Sequence, residues 1–201
     1  MVGTEEWDKI VDEINSCMKC RLSETRVRPV PGEGPLNARI LLIGEAPGEK
    51  EDLAGKPFVG AAGKLLDLLL ERAGLRRSYV FITNIVKCRP PGNRKPRKDE
   101  ILKCAPYLIR QIRLLKPKVV ILLGNTAAET VMGFAGLKWN GVMKDHGKIV
   151  ETHIFGLDVV LIPTFHPAAT LYNPKLRKIL EEDFGKVIRE KVEEIQHLFT
   201  D

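Results

Sequence analysis

Apolar positions along the chain follow two patterns, and the two alternate. Trp7, Ile10, Val11 and Ile14 recur at helical spacing, so residues 5–16 predict an amphipathic helix behind an N-cap at Thr4. Four short aliphatic runs follow, at Arg39–Gly44, Tyr79–Val86, Lys118–Gly124 and Asp158–Pro163. Their nearly continuous apolar character predicts strands covered on both faces. Helical patterns lie between them. AAGKLLDLLLERAG spans 61–74 with Gly74 as its stop, and a second pattern covers about 99–115, where Pro106 should kink or restart it. A shorter helix begins at Asn125, and a long one runs from Lys175 to about Gln196. KIVETHI, ahead of FGLD and VVLIPTF, predicts an antiparallel hairpin on the sheet edge.

Strands alternating with helices mean a three-layer α/β/α sandwich around a mostly parallel sheet. No repeat, low-complexity tract or long linker divides the chain, so residues 1–201 read as one domain. In such folds ligands bind beyond the carboxyl ends of the strands. Those ends carry Gly44-Glu45-Ala46-Pro47-Gly48, Thr83-Asn84, Gly124-Asn125 and Pro163-Thr164-Phe165-His166-Pro167. Groups with usable chemistry thus converge on one rim.

Composition narrows the function classes. The chain has 44% apolar and 29% charged residues, a globular mix, and its aliphatic runs are far too short to span a bilayer. MVGTEEWDKIVDEI is acidic where a secretory signal is basic and then apolar, so a soluble intracellular protein is expected. The net charge of +6 is unevenly placed. Residues 84–118 hold 11 basic side chains and two acids, a charge of +9, against −3 for the remainder. A basic block that begins in a Pro-Gly loop fits a phosphate-backbone partner, although a solvated basic face has the same composition.

Two phosphate-site readings fail. Gly60-Ala61-Ala62-Gly63-Lys64 lacks a glycine at Phe58 and a Ser or Thr at Leu65, so it is no P-loop, and G-x-G-x-x-G is absent after the first strand. The Cys17-x-x-Cys20 pair precedes any strand, unlike a thioredoxin-type dithiol. With Cys88 and Cys104 it accounts for all four cysteines, and one four-thiolate site is the economical reading. Zinc and a 4Fe–4S cluster both fit four thiolates, and a buried apolar cysteine remains the plain alternative for Cys88 or Cys104.

GEAPG at 44–48, GKPFVGAAGKLLD at 55–67, TNIVKCRPPGNRKP at 83–96 and HPAA at 166–169, in that order and with the four cysteines placed, resemble the family 4 uracil-DNA glycosylases. These are the iron–sulfur members of their superfamily. The resemblance spans nearly the whole chain and implies a central four-stranded parallel sheet flanked by helices. It also implies a 4Fe–4S cluster on Cys17, Cys20, Cys88 and Cys104, tying the N-terminal helix to the 84–118 region without a required redox role. The implied uracil pocket comprises Glu45, Ala46, Pro47, Glu51, Phe58, Asn84 and His166. In it Glu45 activates water or stabilises the cation, Phe58 stacks on the base, Asn84 reads the Watson–Crick edge and His166 donates to the uracil carbonyl. Glu51 matches the position that crowds a thymine methyl. Ala46 stands where an Asp is frequent in the wider superfamily, leaving the general base unassigned.

The implied partners are uracil-containing DNA, single- or double-stranded, and free uracil as product. A monomer is expected, with no membrane and an intracellular, nucleoid-associated location, and with a sliding clamp or other repair partner left open. DNA contacts are expected from Arg89, Arg94 and Lys95, and Leu171 is a candidate apolar wedge. His146, His153 and His197 receive no role. Cleaving an N-glycosidic bond creates an oxocarbenium-like sugar and an anionic base, so a carboxylate and an aimed hydrogen-bond donor suit the chemistry. An Asn amide offers both donor and acceptor and can match uracil while mismatching cytosine. No lysine is placed as an imine-forming nucleophile, so no strand cleavage is expected. Two other classes compete: a non-catalytic nucleic-acid-binding module braced by metal, and an iron–sulfur electron carrier.

Overall fold

A computed structural model describes residues 2–195. Five strands form one sheet: β1 (Ile40–Gly44), β2 (Val80–Asn84), β3 (Val119–Leu123), β4 (Val150–Ile154) and β5 (Leu157–Thr164), in the order β2-β1-β3-β5-β4. The four aliphatic runs are the four parallel strands. The hairpin predicted from KIVETHI adds β4 antiparallel at the edge, so the sheet has five strands rather than four.

The helices among the described residues are α1 (Val2–Asn15), α2 (Leu22–Thr25), α3 (Glu49–Ala54), α4 (Ala61–Arg72), α5 (Lys98–Leu115), α6 (Asn125–Phe134), α7 (Val142–Asp145), α8 (Pro167–Thr170), α9 (Pro174–Glu182) and α10 (Arg189–Glu194). None is long and apolar enough to cross a membrane. Successive strand residues point to opposite faces and so feed two cores. Leu41 and Ile43 pack with Ile10, Ile14, Leu108, Ile112 and Val131 from α1, α5 and α6. Ile40 and Leu42 pack with Leu66, Leu69, Leu180 and Phe184 on the other side. Every residue of β1, β2 and β3 is buried, as strands between two helical layers must be.

Three expectations need correction. The first helix begins at Val2, so Thr4 lies in its first turn and does not cap it. α5 runs unbroken through Pro106. The proline removes the N–H that would bond the carbonyl of Leu102, but both residues face solvent, where water can take that carbonyl. The last helix is interrupted by a π-helical turn over Asp183–Ile188, and the predicted end at Gln196 falls outside the described residues. The wide turn brings buried Asp183 to Thr164 Oγ1 at 2.6 Å and to His146 Nδ1 at 3.1 Å. Burial raises the Asp183 pKa.

Along the free edge of β2 the segment around Glu33 runs antiparallel, exchanging both backbone hydrogen bonds with Ile82 at 2.8 and 2.9 Å. α1 is clamped to α5 by Arg110, which reaches Glu6 at 2.8 Å and Glu13 at 2.6 Å. Because Pro106 sits in an exposed helix interior without a packing role, Pro106→Ala is expected to raise stability by about 1–2 kcal/mol. Urea denaturation checks this; a lower midpoint for the variant would show that the ring itself stabilises α5.

Candidate active site and cysteine cavity

The parallel register sets Gly44 beside Asn84 and Leu123 beside Thr164, so four strand ends open on one rim. A cavity of about 570 Å³ lies there. Its wall includes Glu45, Ala46, Pro47, Glu51, Phe58, Asn84 and His166, so the structure brings together all seven residues that the sequence placed in one pocket. The size suits a small organic ligand.

Asn84 ends β2 and is 1% exposed. Its Oδ1 has no hydrogen-bond partner among the described residues. The amide is pressed against the backbone of β1: a Cβ on Gly44 would come within 2.4 Å of Asn84 Oδ1 and 2.9 Å of the Phe58 ring. Glycine is therefore required at 44, and it lets the amide and the ring share one wall.

Phe58 holds a left-handed backbone, with φ of 50°, a costly conformation for a bulky residue unless its surroundings impose it. They do so from three directions. Arg77 donates to the carbonyls of Pro57 and Phe58. Glu51 Oε1 accepts from the N–H groups of Val59 at 2.9 Å and Gly60 at 3.0 Å. Gly63 lies so near that a Cβ there would sit 1.8 Å from the Phe58 carbonyl oxygen. Arg77 was not found from sequence, because it arrives from the turn before β2 and carries no motif of its own.

His166 follows β5 and caps α8, its Nδ1 accepting from the Ala168 N–H at 3.1 Å. That bond leaves the neutral ring with its proton on Nε2. Burial pushes the imidazole pKa down to about 4, only partly offset by the Glu51 carboxylate. The ring stacks on Phe58 with centroids 5.5 Å apart and planes 25° apart. Glu45 accepts a hydrogen bond from Thr126 Oγ1. Thr126 is buried in the first turn of α6 and was also missed, since one threonine after Gly124-Asn125 gives no signal until the fold sets it against β1. The pocket therefore holds an acceptor without a donor, a neutral N–H donor and a braced carboxylate.

The basic residues are less uniform than the sequence suggested. Arg94 lines the pocket, but its guanidinium makes a bidentate pair with buried Glu100 at 2.6 and 2.8 Å. That pairing holds the Glu100 carboxyl below its usual range. Lys95 lines the rim and is mostly exposed, 3.8 Å from Glu129. Arg89 lies off the wall, bonded to Asn93 Oδ1 at 2.7 Å. Leu171 is partly buried against the second core, whereas its neighbour Tyr172 is 95% exposed. His153 pairs with Asp158 on the surface, and His197 lies outside the described residues.

Cys17, Cys20, Cys88 and Cys104 line a second, small cavity together with Ile14, Arg26 and Tyr107. Among the described residues, no three His, Cys, Asp or Glu side chains are grouped as a single-ion site. Cys88 Sγ accepts from Arg26 at 3.0 Å and Cys104 Sγ from the Lys87 N–H at 3.3 Å, both arrangements that favour thiolate. Burial acts against them, raising the Cys88 thiol and pushing Cys104 up to about 11. A bound cation would offset that burial, so the donor set fits a metal centre.

The depressed His166 pKa has a sign that can be tested. The unfolded chain takes up the proton near pH 6.5 and the folded chain only near pH 4, so His166 lowers stability progressively as pH falls between those values, by up to about 3 kcal/mol. The stability difference between wild type and His166→Gln, followed by denaturation from pH 7 to pH 4, is expected to shift against wild type over that window. A pH-independent difference would contradict a neutral imidazole held on the pocket wall.

Residues 31–190 match the family model for the uracil DNA glycosylase superfamily. The chain is 52% identical over 181 residues to a type-4 uracil-DNA glycosylase of Saccharolobus solfataricus, covering 90% of this chain and 84% of that one. It is 48% identical over 183 residues to a type-4 enzyme of Archaeoglobus fulgidus (91% and 92% covered), and 43% identical over 189 residues to one of Thermotoga maritima (92% and 95% covered). A pocket at the ends of a parallel sheet and a sequence match along nine-tenths of the chain agree: this protein belongs to the type-4 uracil-DNA glycosylases of the uracil DNA glycosylase superfamily.

Proposed function

We propose that this chain removes uracil from DNA by hydrolysing its N-glycosidic bond, leaving an abasic site for base excision repair. The observation that carries the residue assignment is the buried, partnerless Asn84 Oδ1 on the pocket wall. Leaving such an acceptor unpaired costs about 1–3 kcal/mol, which a ligand N–H would recover. Uracil offers N3–H to Oδ1 and O4 to the Asn84 amide N–H. Cytosine presents an acceptor and a donor in those places and is rejected.

The base must leave the helix to reach the pocket, and stacking on Phe58 returns part of that cost. As the C1′–N1 bond breaks, its electron pair moves onto the uracil ring and its carbonyl oxygen. The Nε2–H of His166 donates to that oxygen; with a pKa near 4 the ring stays neutral and acts as a donor without protonating the base. The Glu45 carboxylate, held by Thr126, faces the positive charge on the sugar and orients the water whose oxygen bonds to C1′; the proton this water gives up ends on the departing uracil anion. Ala46 and Pro47 wall the pocket, and Glu51 is assigned to crowding a 5-methyl group besides bracing the Phe58 loop.

Cys17, Cys20, Cys88 and Cys104 would hold a 4Fe–4S cluster, which would clamp the chain after α1 to the loop after β2 and to α5, with no step of the reaction assigned to it. Membership in the type-4 family and the shared cavity support this. DNA phosphates are assigned to exposed Lys95, while Arg94 is held on the pocket wall by Glu100 and Arg89 lies off that wall. Leu171, the candidate wedge, is partly buried against the second core, and its neighbour Tyr172, 95% exposed, is assigned the same role as the freer side chain.

The test is base release from oligonucleotides with uracil opposite G, opposite A and in single strands. Wild type is expected to release uracil, and Glu45→Ala and His166→Ala to lose about 100-fold or more in rate while still binding DNA. Wild-type binding with no release would leave only a nucleic-acid-binding module.

A further inference from the structure

Lys87 is the one lysine buried among the described residues, at 1% exposure; it lines the cysteine cavity, and the pocket chemistry does not use its side chain. Its ammonium makes three hydrogen bonds, each 2.7 Å long: to Thr83 Oγ1, to the backbone carbonyl of Asn84 and to Gln111 Oε1. No carboxylate belongs to this network. Its acidic neighbours are the Cys88 and Cys104 sulfurs of the adjacent cavity, and all three of its hydrogen bonds go to the strand end and α5 instead, so those bonds call for a reason of their own.

The reason lies in the edge of β2. The strap at Glu33 exchanges both its backbone hydrogen bonds with Ile82. That bridge is isolated; continued by two residues, an antiparallel ladder would next pair residue 31 of the strap with Asn84. Residue 31 is proline and has no N–H to give, so the Asn84 carbonyl is left without its ladder donor. The Lys87 ammonium occupies that role. The Pro31 carbonyl, for its part, accepts from Thr83 Oγ1 and Gln111 Nε2, each at 2.8 Å. The network therefore closes on itself around the end of the strand. Lys87 also stands between Asn84 and the cysteines, its own N–H on Cys104 Sγ and its neighbour Cys88 in the same cavity.

We propose that Lys87 is a positioning residue: by replacing the strand hydrogen bond that Pro31 cannot supply, its ammonium fixes the Asn84 backbone and thereby the aim of the Asn84 side chain. This rests on the reading of Asn84 as the group that recognises uracil N3–H. Lys87 touches no substrate. It sets selectivity through the residue that does, and it joins the geometry of the cysteine loop to the geometry of the pocket.

The readout is how well free uracil inhibits the enzyme compared with 3-methyluracil, which lacks the N3 donor. Wild type, Lys87→Met, Thr83→Val and Thr83→Ser are compared as full-length proteins at matched iron content. Wild type is expected to prefer uracil. Lys87→Met is expected to reduce that preference about tenfold or more in the folded protein, and Thr83→Val to reduce it less, with Thr83→Ser restoring it. A Lys87→Met protein that melts earlier but keeps the wild-type preference would reduce Lys87 to a stabilising role and overturn the proposal. If Lys87→Met fails to fold, an unchanged preference in Thr83→Val overturns it and a reduced one supports it. Loss of discrimination in wild type itself would instead remove the reading of Asn84 beneath the proposal.

Discussion

The pocket depends on one buried carboxamide oxygen that has no partner among the described residues. Asn84 Oδ1 sits at the end of a strand inside a three-layer sandwich, buried and without a hydrogen-bond partner among the described residues. Such an atom persists only if the backbone beneath it is fixed and the side chain has no room to turn away. Both conditions hold. The bare backbone of Gly44 stands against the amide on one side, and Lys87, Thr83, Gln111 and Pro31 fix the strand end on the other. The fully buried strands β1, β2 and β3 supply the stability that this local deficit draws upon.

The same principle extends to the other pocket groups, each held by residues that never meet the ligand. Phe58 keeps a left-handed backbone because Arg77, Glu51 and Gly63 leave it no alternative. His166 is aimed by the N–H of Ala168, and Glu45 by Thr126. The basic region divides along similar lines. Lys87 faces inward, Arg94 is committed to Glu100 and Arg110 to Glu6 and Glu13. Arg113, Lys116 and Lys118 lie toward the far end of α5, away from the strand ends that carry the pocket. Lys95 is exposed on the pocket rim, and Arg97 and Lys98, close behind it in sequence, are exposed as well.

Much of this was legible in the sequence because burial on both faces writes itself as an unbroken aliphatic run. ILLIG, VFITN and VVILL each became a strand with every residue buried. The parallel order then gathered Glu45, Asn84 and His166 on one rim. What stayed hidden depends on direction or distance. Pro106 reads as a helix breaker until its exposed face is known, and Thr4 reads as a cap although the helix starts before it. The π-helical turn at Asp183 exists for contacts with Thr164 and His146, far away in sequence. Lys87, Arg77 and Thr126 looked like ordinary residues, because their partners come from other elements. The charge of residues 84–118 was countable, yet its division between interior, α1 and solvent was not.

The most direct measurement of the central claim is the paired stability and uracil affinity of Asn84→Leu, a substitution of similar size that removes the unpaired acceptor. If that oxygen is kept for a ligand at the expense of the fold, the variant holds or gains stability, by up to about 1–3 kcal/mol, while losing uracil binding. A variant that is markedly destabilised, or that still binds uracil as wild type does, would contradict the account.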